Sequence, residues 1–314
     1  MKKNFLLIFI VTVFAGCSKE KRSDKASVKM QEFVISISNY AKGIVPGFII
    51  IPQNGIELAF SYCDTTDGLN TSYIAAIDGV GIESLFFEEI AAEDDGRLNM
   101  ARSIRNATKK ILVSDYVSDN LNITNSIQMN ENEGFICFPR ASNNYDYMYI
   151  PDSVINENAN DINTLQDAQN YLYLINTDNF TSKQVMIDAL SATNFDVILI
   201  DMFFGDEAFT SSEIAQLKTK ANGGKRLLIS YINVGAAENW RYYWKENWKA
   251  HNPNWLKKEY DGYEDEVWVK FWKNDWQEII YGNDDSYLKK IIDAGFDGAY
   301  LDNVEAYYFL YYND

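Results

Sequence analysis

The chain has 314 residues, of which 47% are hydrophobic and 15% aromatic, so a globally disordered protein is excluded. Its formal net charge is −17, with 28 Lys and Arg against 45 Asp and Glu. Because a nucleic-acid backbone is bound by clustered Lys and Arg, this balance argues against a nucleic-acid partner. An acidic surface would suit a cationic ligand.

The first 17 residues have the layout of a bacterial lipoprotein signal peptide. Two lysines precede an apolar run from Phe5 to Phe14, and small residues lead to Cys17. The run is too short to span a membrane. We therefore predict lipidation at Cys17, a polar tether over 18–28 and an extracytoplasmic location, held on a bacterial membrane only through a lipid anchor. The alternative is an ordinary secretory signal with an incidental cysteine.

Eight short apolar runs, rich in β-branched and aromatic residues, follow along the chain. They cover residues 47–55, 76–87, 109–117, 134–142, 171–176, 196–204, 226–235 and 298–304. Continuous apolar runs, rather than strict alternation, indicate parallel strands buried on both faces. Eight strands alternating with helical segments predict one α/β domain over 29–314, a (β/α)₈ TIM barrel. A flavodoxin-like fold, the alternative, needs only about five strands.

The segments between these runs show helical patterns, predicted over 29–43, 181–194, 210–224 and 275–296. The first has an apolar stripe at offsets of three and four, formed by Met30, Phe33, Val34, Ile37 and Tyr40. The second and third begin at Ser/Thr caps, and the last closes with Gly295.

In a parallel barrel the reactive groups gather where the strands end. Polar residues at these ends are Asn54, Glu83, Asp115, Arg140, Asn176, Asp201, Tyr231 and Asp302. Each alone is more often a cap or loop contact than a catalytic group. Four carboxylates at one barrel mouth favour chemistry, because crowding and burial raise the pKa of at least one of them. A proton-donating acid beside an ionised carboxylate is what glycoside hydrolysis requires.

Other catalytic classes lack their residues. The chain has one histidine, His251, so a Ser-His-Asp triad and a multi-histidine zinc site are excluded. Cys63 and Cys137 match no metal motif, and their spacing leaves their pairing open. No metal or cofactor is expected, and the chemistry must use carboxylates.

All seven tryptophans lie between residues 240 and 276. Sugars stack their C–H faces on flat aromatic rings, so this confinement favours a substrate wall. The spacing of four among the first three also fits a helical packing stripe, and both interpretations stay open. The residues are Trp240, Trp244, Trp248, Trp255, Trp268, Trp272 and Trp276.

Three segments together resemble one family. The first, RLLISYINVGAAENWRYYW, is similar to a strand-and-loop motif Tyr-x-x-x-Gly-Glu-Ala-Glu-x-(Tyr/Trp)-Arg; the others are VWVKFWKNDWQEII and GFDGAYLDNVEAY. The family is glycoside hydrolase family 114, whose members are endo-α-1,4-polygalactosaminidase-like TIM-barrel proteins. PGFIIIPQNGIEL and AIDGVGIESLFF also match, but they precede the LDN strand here and follow it in the family. The resemblance therefore implies a circular permutant, with strands five to eight first and strands one to four after them.

The resemblance places the catalytic pair on Asp302, as nucleophile, and Glu83, as general acid/base. It implies retaining hydrolysis of an α-galactosaminide link, with no cofactor. One departure is Ala236, which stands where the family motif has Glu. Predicted substrate contacts are Asn54, Asp115, Asp201, Tyr231, Glu238, Arg241, Trp240 and Trp272.

The expected function is thus hydrolysis of an α-linked galactosamine-type polysaccharide, and the expected partner is a poly- or oligosaccharide containing amino sugars. The alternative is a catalytically weak or inactive glycan-binding surface lipoprotein with the same barrel, which the change at Ala236 keeps open. A third reading is a scaffold that binds no sugar.

Overall fold

The structure is a computed structural model that describes residues 6–92, 94–141 and 147–311, with side chains from residue 19 onward. Its helices are α1 (Leu6–Ile44), α2 (Thr71–Ala76), α3 (Asp95–Asn106), α4 (Asn120–Asn132), α5 (Lys183–Ser191), α6 (Ser211–Leu217), α7 (Asn274–Ile280), α8 (Tyr287–Ala294) and α9 (Ala306–Phe309). Its strands are β1 (Ile49–Pro52), β2 (Gly79–Glu88), β3 (Ile90–Ala91), β4 (Lys110–Tyr116), β5 (Ile136–Cys137), β6 (Tyr171–Leu174), β7 (Val197–Asp201), β8 (Phe203–Phe204), β9 (Glu207–Ala208), β10 (Leu227–Asn233), β11 (Ala236–Glu238), β12 (Leu256–Tyr260), β13 (Tyr263–Val269) and β14 (Gly298–Asp302).

Each of the eight predicted runs contains a parallel strand. Five of these strands form one sheet in the order β1-β14-β10-β7-β6, and β4 pairs with β2 and β5 in a second sheet. A parallel bridge between Gln53 and Gly81 connects β1 to β2. The fold is therefore mixed α/β with parallel sheets, as predicted.

The last long strand pairs with the first. Ile49 lies beside Gly298 and Pro52 beside Leu301, and β10 occupies the other side of β14. Helix α1 covers this region with the predicted stripe, since Met30, Phe33, Val34 and Ile37 are fully buried. The chain thus brings together strands from its two ends.

Helix α1 is longer than predicted. The expected tether over 18–28 is helical instead, because Ser23, Ala26 and Ser27 are buried against the domain. The Ser23 hydroxyl donates to the carbonyl of Tyr307, so α1 also contacts the last helix. The side chain of Cys17 lies outside the described residues.

Several other helices begin or end at the capping residues that the sequence predicts. The side chain of Ser182 accepts a hydrogen bond from the backbone N–H of Val185, and Thr210 forms a capping box with Glu213. The predicted helix over 275–296 is two helices, because Gly282 in the intervening turn has φ 103°. Gly295 ends α8 in the left-handed conformation with φ 90°, as its position predicts.

The tryptophan-rich segment after β10 is a small antiparallel sheet. Strand β13 lies between β11 and β12. Of the interpretations left open, a helix over 240–248 is wrong, since turns connect β11 to β12. In the described part of the chain, no helix has the length and apolarity needed to cross a membrane. Cys63 and Cys137, both described, are free thiols.

Candidate active site

A cavity of about 900 Å³ opens where the parallel strands end. Its described lining contains nine carboxylic residues, Glu83, Asp178, Asp201, Asp206, Glu238, Asp265, Glu266, Asp302 and Glu305. Among the described lining residues Arg241 is the single cation. The aromatic lining consists of Tyr147, Tyr173, Phe203, Tyr231, Trp240, Tyr260, Tyr263 and Phe309. Flat rings beside many hydrogen-bonding groups are suited to a carbohydrate.

Asp302 is the last residue of β14 and is held by two donors. The hydroxyl of Tyr231 lies 2.6 Å from Oδ2, and the backbone N–H of Asn303 donates to Oδ1 over 2.8 Å. Burial, together with the nearby charges of Glu83 and Glu238, raises the pKa of Asp302 to about 7, although the two hydrogen bonds act to lower it. The group therefore titrates near neutral pH.

Glu83 lies on β2, and hydrogen bonds hold both its backbone and its carboxylate. Asn54, at the end of β1, donates its amide N–H to Oε2 over 3.0 Å and accepts the Glu83 backbone N–H over 3.0 Å. The hydroxyl of Tyr147 lies 2.5 Å from Oε1. Arg97 donates to the carbonyls of Glu83 and Ser84. Ser84 has a φ of 49°, and the pairing of β2 with β4 shifts register after Glu83. Strained backbone of this kind is common at functional sites.

A second acidic group in the cavity lies around Arg241. Arg241 donates to both oxygens of Asp201, over 3.0 and 2.6 Å, and to both oxygens of Glu238, over 2.7 and 3.1 Å. Glu266 faces Glu238 across the β11–β13 pair and accepts only from Asn233, over 3.0 Å, among the bonds seen in the described chain. Burial and the charge of Glu238 raise the pKa of Glu266 to about 9, so it is a neutral acid at pH 7.

Most predicted site residues line this one cavity. They are Asn54, Glu83, Asp201, Tyr231, Glu238, Trp240, Arg241 and Asp302. Asp115 does not line it. Its carboxylate is fully buried and accepts hydrogen bonds from the backbone N–H groups of Phe86 and Phe87 and from Ser126 and Asn130, so it joins β2 and β4 to α4. The predicted substrate contact at Asp115 is wrong, and its role is structural.

The tryptophan wall is also corrected. Among the seven, Trp240 alone lines the cavity, and it is 47% exposed. Trp272 lies outside the cavity, with the ammonium of Lys29 4.7 Å from its ring centre. The structure therefore does not support the predicted substrate contact at Trp272. The packing interpretation describes the others, several of which form a chain of ring contacts: Trp244, Trp248, Trp255 and Trp276. Tyrosines provide most of the aromatic surface instead.

Sequence reasoning missed several residues that line this cavity, among them Tyr147, Glu266 and Glu305. Tyr147 lies in an irregular stretch with no periodic pattern. Glu266 is two residues from the buried Trp268 on β13, so strand alternation places both on one face. Burial and the neighbouring Glu57 and Asp302 raise the pKa of Glu305 to about 8.

Comparison with known proteins identifies the family of this chain. A model of glycoside-hydrolase family GH114 matches residues 153–314, just over half of the chain. The chain belongs to glycoside-hydrolase family GH114. The matched range includes Asp302 and the Arg241 cluster, whereas Glu83 and Asn54 precede it.

Three uncharacterized proteins are similar to this GH114 chain. One from Thermotoga maritima is 34% identical over 120 residues, which is 38% of this chain and 35% of that protein. One from Methanocaldococcus jannaschii is 40% identical over 124 residues, which is 38% of this chain and 34% of that protein. One from Deinococcus radiodurans is 34% identical over 124 residues, which is 40% of this chain and 38% of that protein. The matched part thus spans about a third of the length of each relative.

Proposed function

We propose that this GH114 protein is a retaining glycosidase that cleaves α-linked galactosamine-type polysaccharides, with Asp302 as nucleophile and Glu83 as general acid/base. The observation that carries the proposal is that these two carboxyl groups, from strands on either side of β1, line the same aromatic and acidic cavity. Membership of a glycoside-hydrolase family supports a carbohydrate substrate.

The reaction proceeds in two steps. In the first, the Glu83 proton passes to the glycosidic oxygen, the bond from that oxygen to the anomeric carbon breaks, and an Asp302 oxygen bonds to this carbon. In the second, the Glu83 carboxylate removes a proton from water, whose oxygen displaces Asp302 with a second inversion. The hydrogen bonds from Tyr231 and Asn303 favour the ionised form of Asp302 that the first step needs.

Retention requires carboxyl groups about 5–5.5 Å apart. Strands two positions apart in a sheet are separated by about 10 Å, and side chains that project toward each other shorten this distance. The excess of carboxylates over cations in the lining supports a cationic, at least partly deacetylated amino sugar, because opposite charge concentrates such a ligand in a cleft.

Incubation with α-1,4-linked galactosamine oligomers, followed by proton NMR, tests the proposal. The α anomer of the product should appear first, and Glu83→Gln and Asp302→Asn should each abolish turnover. Early β anomer would contradict retention. Binding without turnover in the wild type would favour the glycan-binding alternative, which gains support from Ala236, a buried residue that supplies no carboxylate.

We also propose that the eight parallel strands close a permuted barrel. Two observations support closure between β5 and β6: the rings of Phe138 and Tyr171 have centres 5.9 Å apart, and Lys110 on β4 donates to the carbonyl of Ala168 before β6. Permutation is supported by the GH114 match, which begins at residue 153 and leaves β1 to β5 before it.

The lipoprotein assignment is likewise a proposal, supported by the sequence of residues 1–17 alone. Labelling with a palmitate analogue in a bacterial host should modify the wild type and not Cys17→Ser. Equal labelling of both would contradict it.

A further inference from the structure

Tyr147 and Ser114 form a hydroxyl pair beside Glu83. The Tyr147 oxygen lies 2.5 Å from Oε1 of Glu83 and 3.1 Å from Oγ of Ser114. Ser114 is fixed next to Glu83 because the two residues are register partners on β4 and β2. Both hydroxyl residues are buried, so bulk water does not take the place of either contact.

The two oxygens of Glu83 are not equivalent. The carbonyl oxygen of Asn54 accepts the Glu83 backbone N–H, which fixes the orientation of that amide. Its NH₂ group therefore faces Oε2 and can only donate. A proton placed on Oε2 would meet this donor, so Oε1 is the oxygen where a proton is accommodated.

A hydroxyl can donate or accept, so Tyr147 suits both forms of Glu83. When Glu83 is ionised, Tyr147 donates to Oε1 and accepts from Ser114. When Oε1 carries a proton, that proton is donated to Tyr147, whose own hydroxyl turns to Ser114. Both hydrogen bonds reverse while the heavy atoms stay in place.

We propose that Tyr147, backed by Ser114, is a positioning residue that assigns Oε1 of Glu83 as the proton-carrying oxygen and keeps it hydrogen-bonded in both protonation states. The inference rests on the proposed function, since a retaining mechanism requires Glu83 to act first as acid and then as base. The ring of Tyr147 is held for this role by stacking on Tyr173, with centres 3.8 Å apart, and by the Arg140 guanidinium 5.5 Å from its centre.

Other charged or titratable groups also face Glu83 or its hydroxyl partners. They are Asp302 and Tyr300 on β14, Glu305 beside α9, Arg97 on α3, Arg140 after β5, and Tyr171 and Tyr173 on β6. All of them remain in place in Tyr147→Phe and Ser114→Ala, so a change on removing one hydroxyl reports on that hydroxyl.

The test combines kinetics with infrared spectroscopy. Tyr147→Phe should lower kcat about 10- to 100-fold with a smaller effect on KM, because a hydrogen bond to a charged group is lost. The carboxyl and carboxylate bands of Glu83, assigned by their absence in Glu83→Gln, should both change frequency in Tyr147→Phe, because each form loses its hydrogen bond to the tyrosine. Tyr171→Phe is the matched control, since that buried hydroxyl has no hydrogen-bond partner in the described structure and lies outside the cavity.

Glu83 bands at unchanged frequency in Tyr147→Phe would overturn the inference, whatever the activity. Shifted bands in an enzyme that cleaves no galactosamine oligomer would uphold the hydroxyl pair and reject the proposed function, so the two failures are distinct. If Tyr147→Phe does not fold, Ser114→Ala must shift the frequency of the same bands by a smaller amount, and no shift there overturns the inference.

Discussion

Replacing Glu266 with glutamine should stabilise the protein, and increasingly so as the pH rises. In the fold, burial and the charge of Glu238 raise the pKa of Glu266 from its ordinary 4.5 to about 9. The folded state therefore holds a proton that the unfolded state releases. A raised pKa of this kind contributes stability that is fully present below pH 4.5 and is lost as the pH rises toward about 9.

The magnitude follows from the difference between the solution pH and the pKa of Glu266 in the unfolded state. That pKa is 4.5, so pH 7 lies 2.5 units above it, which corresponds to a loss of at most about 3.4 kcal/mol in unfolding free energy. Glutamine mimics the protonated acid and carries no such cost. The gap in unfolding free energy between Glu266→Gln and the wild type should widen by about 1.4 kcal/mol per pH unit across this window.

Urea unfolding followed by tryptophan fluorescence at pH 5, 6, 7 and 8 measures the gap. Glu264→Gln is the matched control, because this exposed residue lies on the same strand and should show no such slope. A gap between Glu266→Gln and the wild type that stays constant from pH 5 to 8 would show that Glu266 is ionised in the fold. The described electrostatics of this wall would then be incorrect.

Three further outcomes are expected. Tyr231→Phe removes the donor that favours ionised Asp302, so the acidic limb of kcat/KM, expected near pH 7 in the wild type, should move to higher pH; an unmoved limb would contradict the nucleophile assignment. Lys220→Met leaves the fully buried Asp196 without its 2.6 Å ion pair and should lower the unfolding free energy by about 3–5 kcal/mol in urea titrations, with exposed Lys225→Met near zero. A gene that joins the two chain ends through a short linker and reopens the chain in 151–165 should give a folded protein with the same circular dichroism spectrum, and an unfolded product would argue against permutation.

The strands and their order could be predicted because buried parallel strands leave long apolar runs in the sequence. The pairing of β14 with β1 followed from treating the chain as permuted, and it is observed. Permutation also predicts that Asp314 lies near the N-terminal end of the helix predicted over 29–43, but Asp314 is outside the described residues.

The side of a strand on which a polar residue lies could not be predicted at the strand ends. Ser114 lies beside Glu83 and contacts Tyr147, whereas the next residue, Asp115, points to the opposite face and binds α4. Because side chains alternate along a strand, a difference of one residue decides between the cavity and the outer layer. A strand whose residues are apolar on both faces does not reveal which face points to the cavity and which to the outer helices.

The position of the tryptophans depended on an antiparallel excursion that the sequence did not reveal. Strands β12 and β13 read as mixed charged and aromatic residues, since one of their faces is exposed. The pairing of β13 with β11 sets Glu266 against Glu238, and Trp268 on β13 is buried. Residues that meet only through such pairing give no local signal.

The central claim is that Asp302 becomes covalently bonded to the sugar while Glu83 transfers the proton, and trapping that bond tests it most directly. Glu83→Gln should still react with an α-galactosaminyl fluoride, because fluoride leaves without a proton donor, whereas hydrolysis of the intermediate lacks its base. Mass spectrometry of the quenched variant should find one hexosamine attached to Asp302. Fluoride release without an adduct, or an adduct on another residue, would contradict the account.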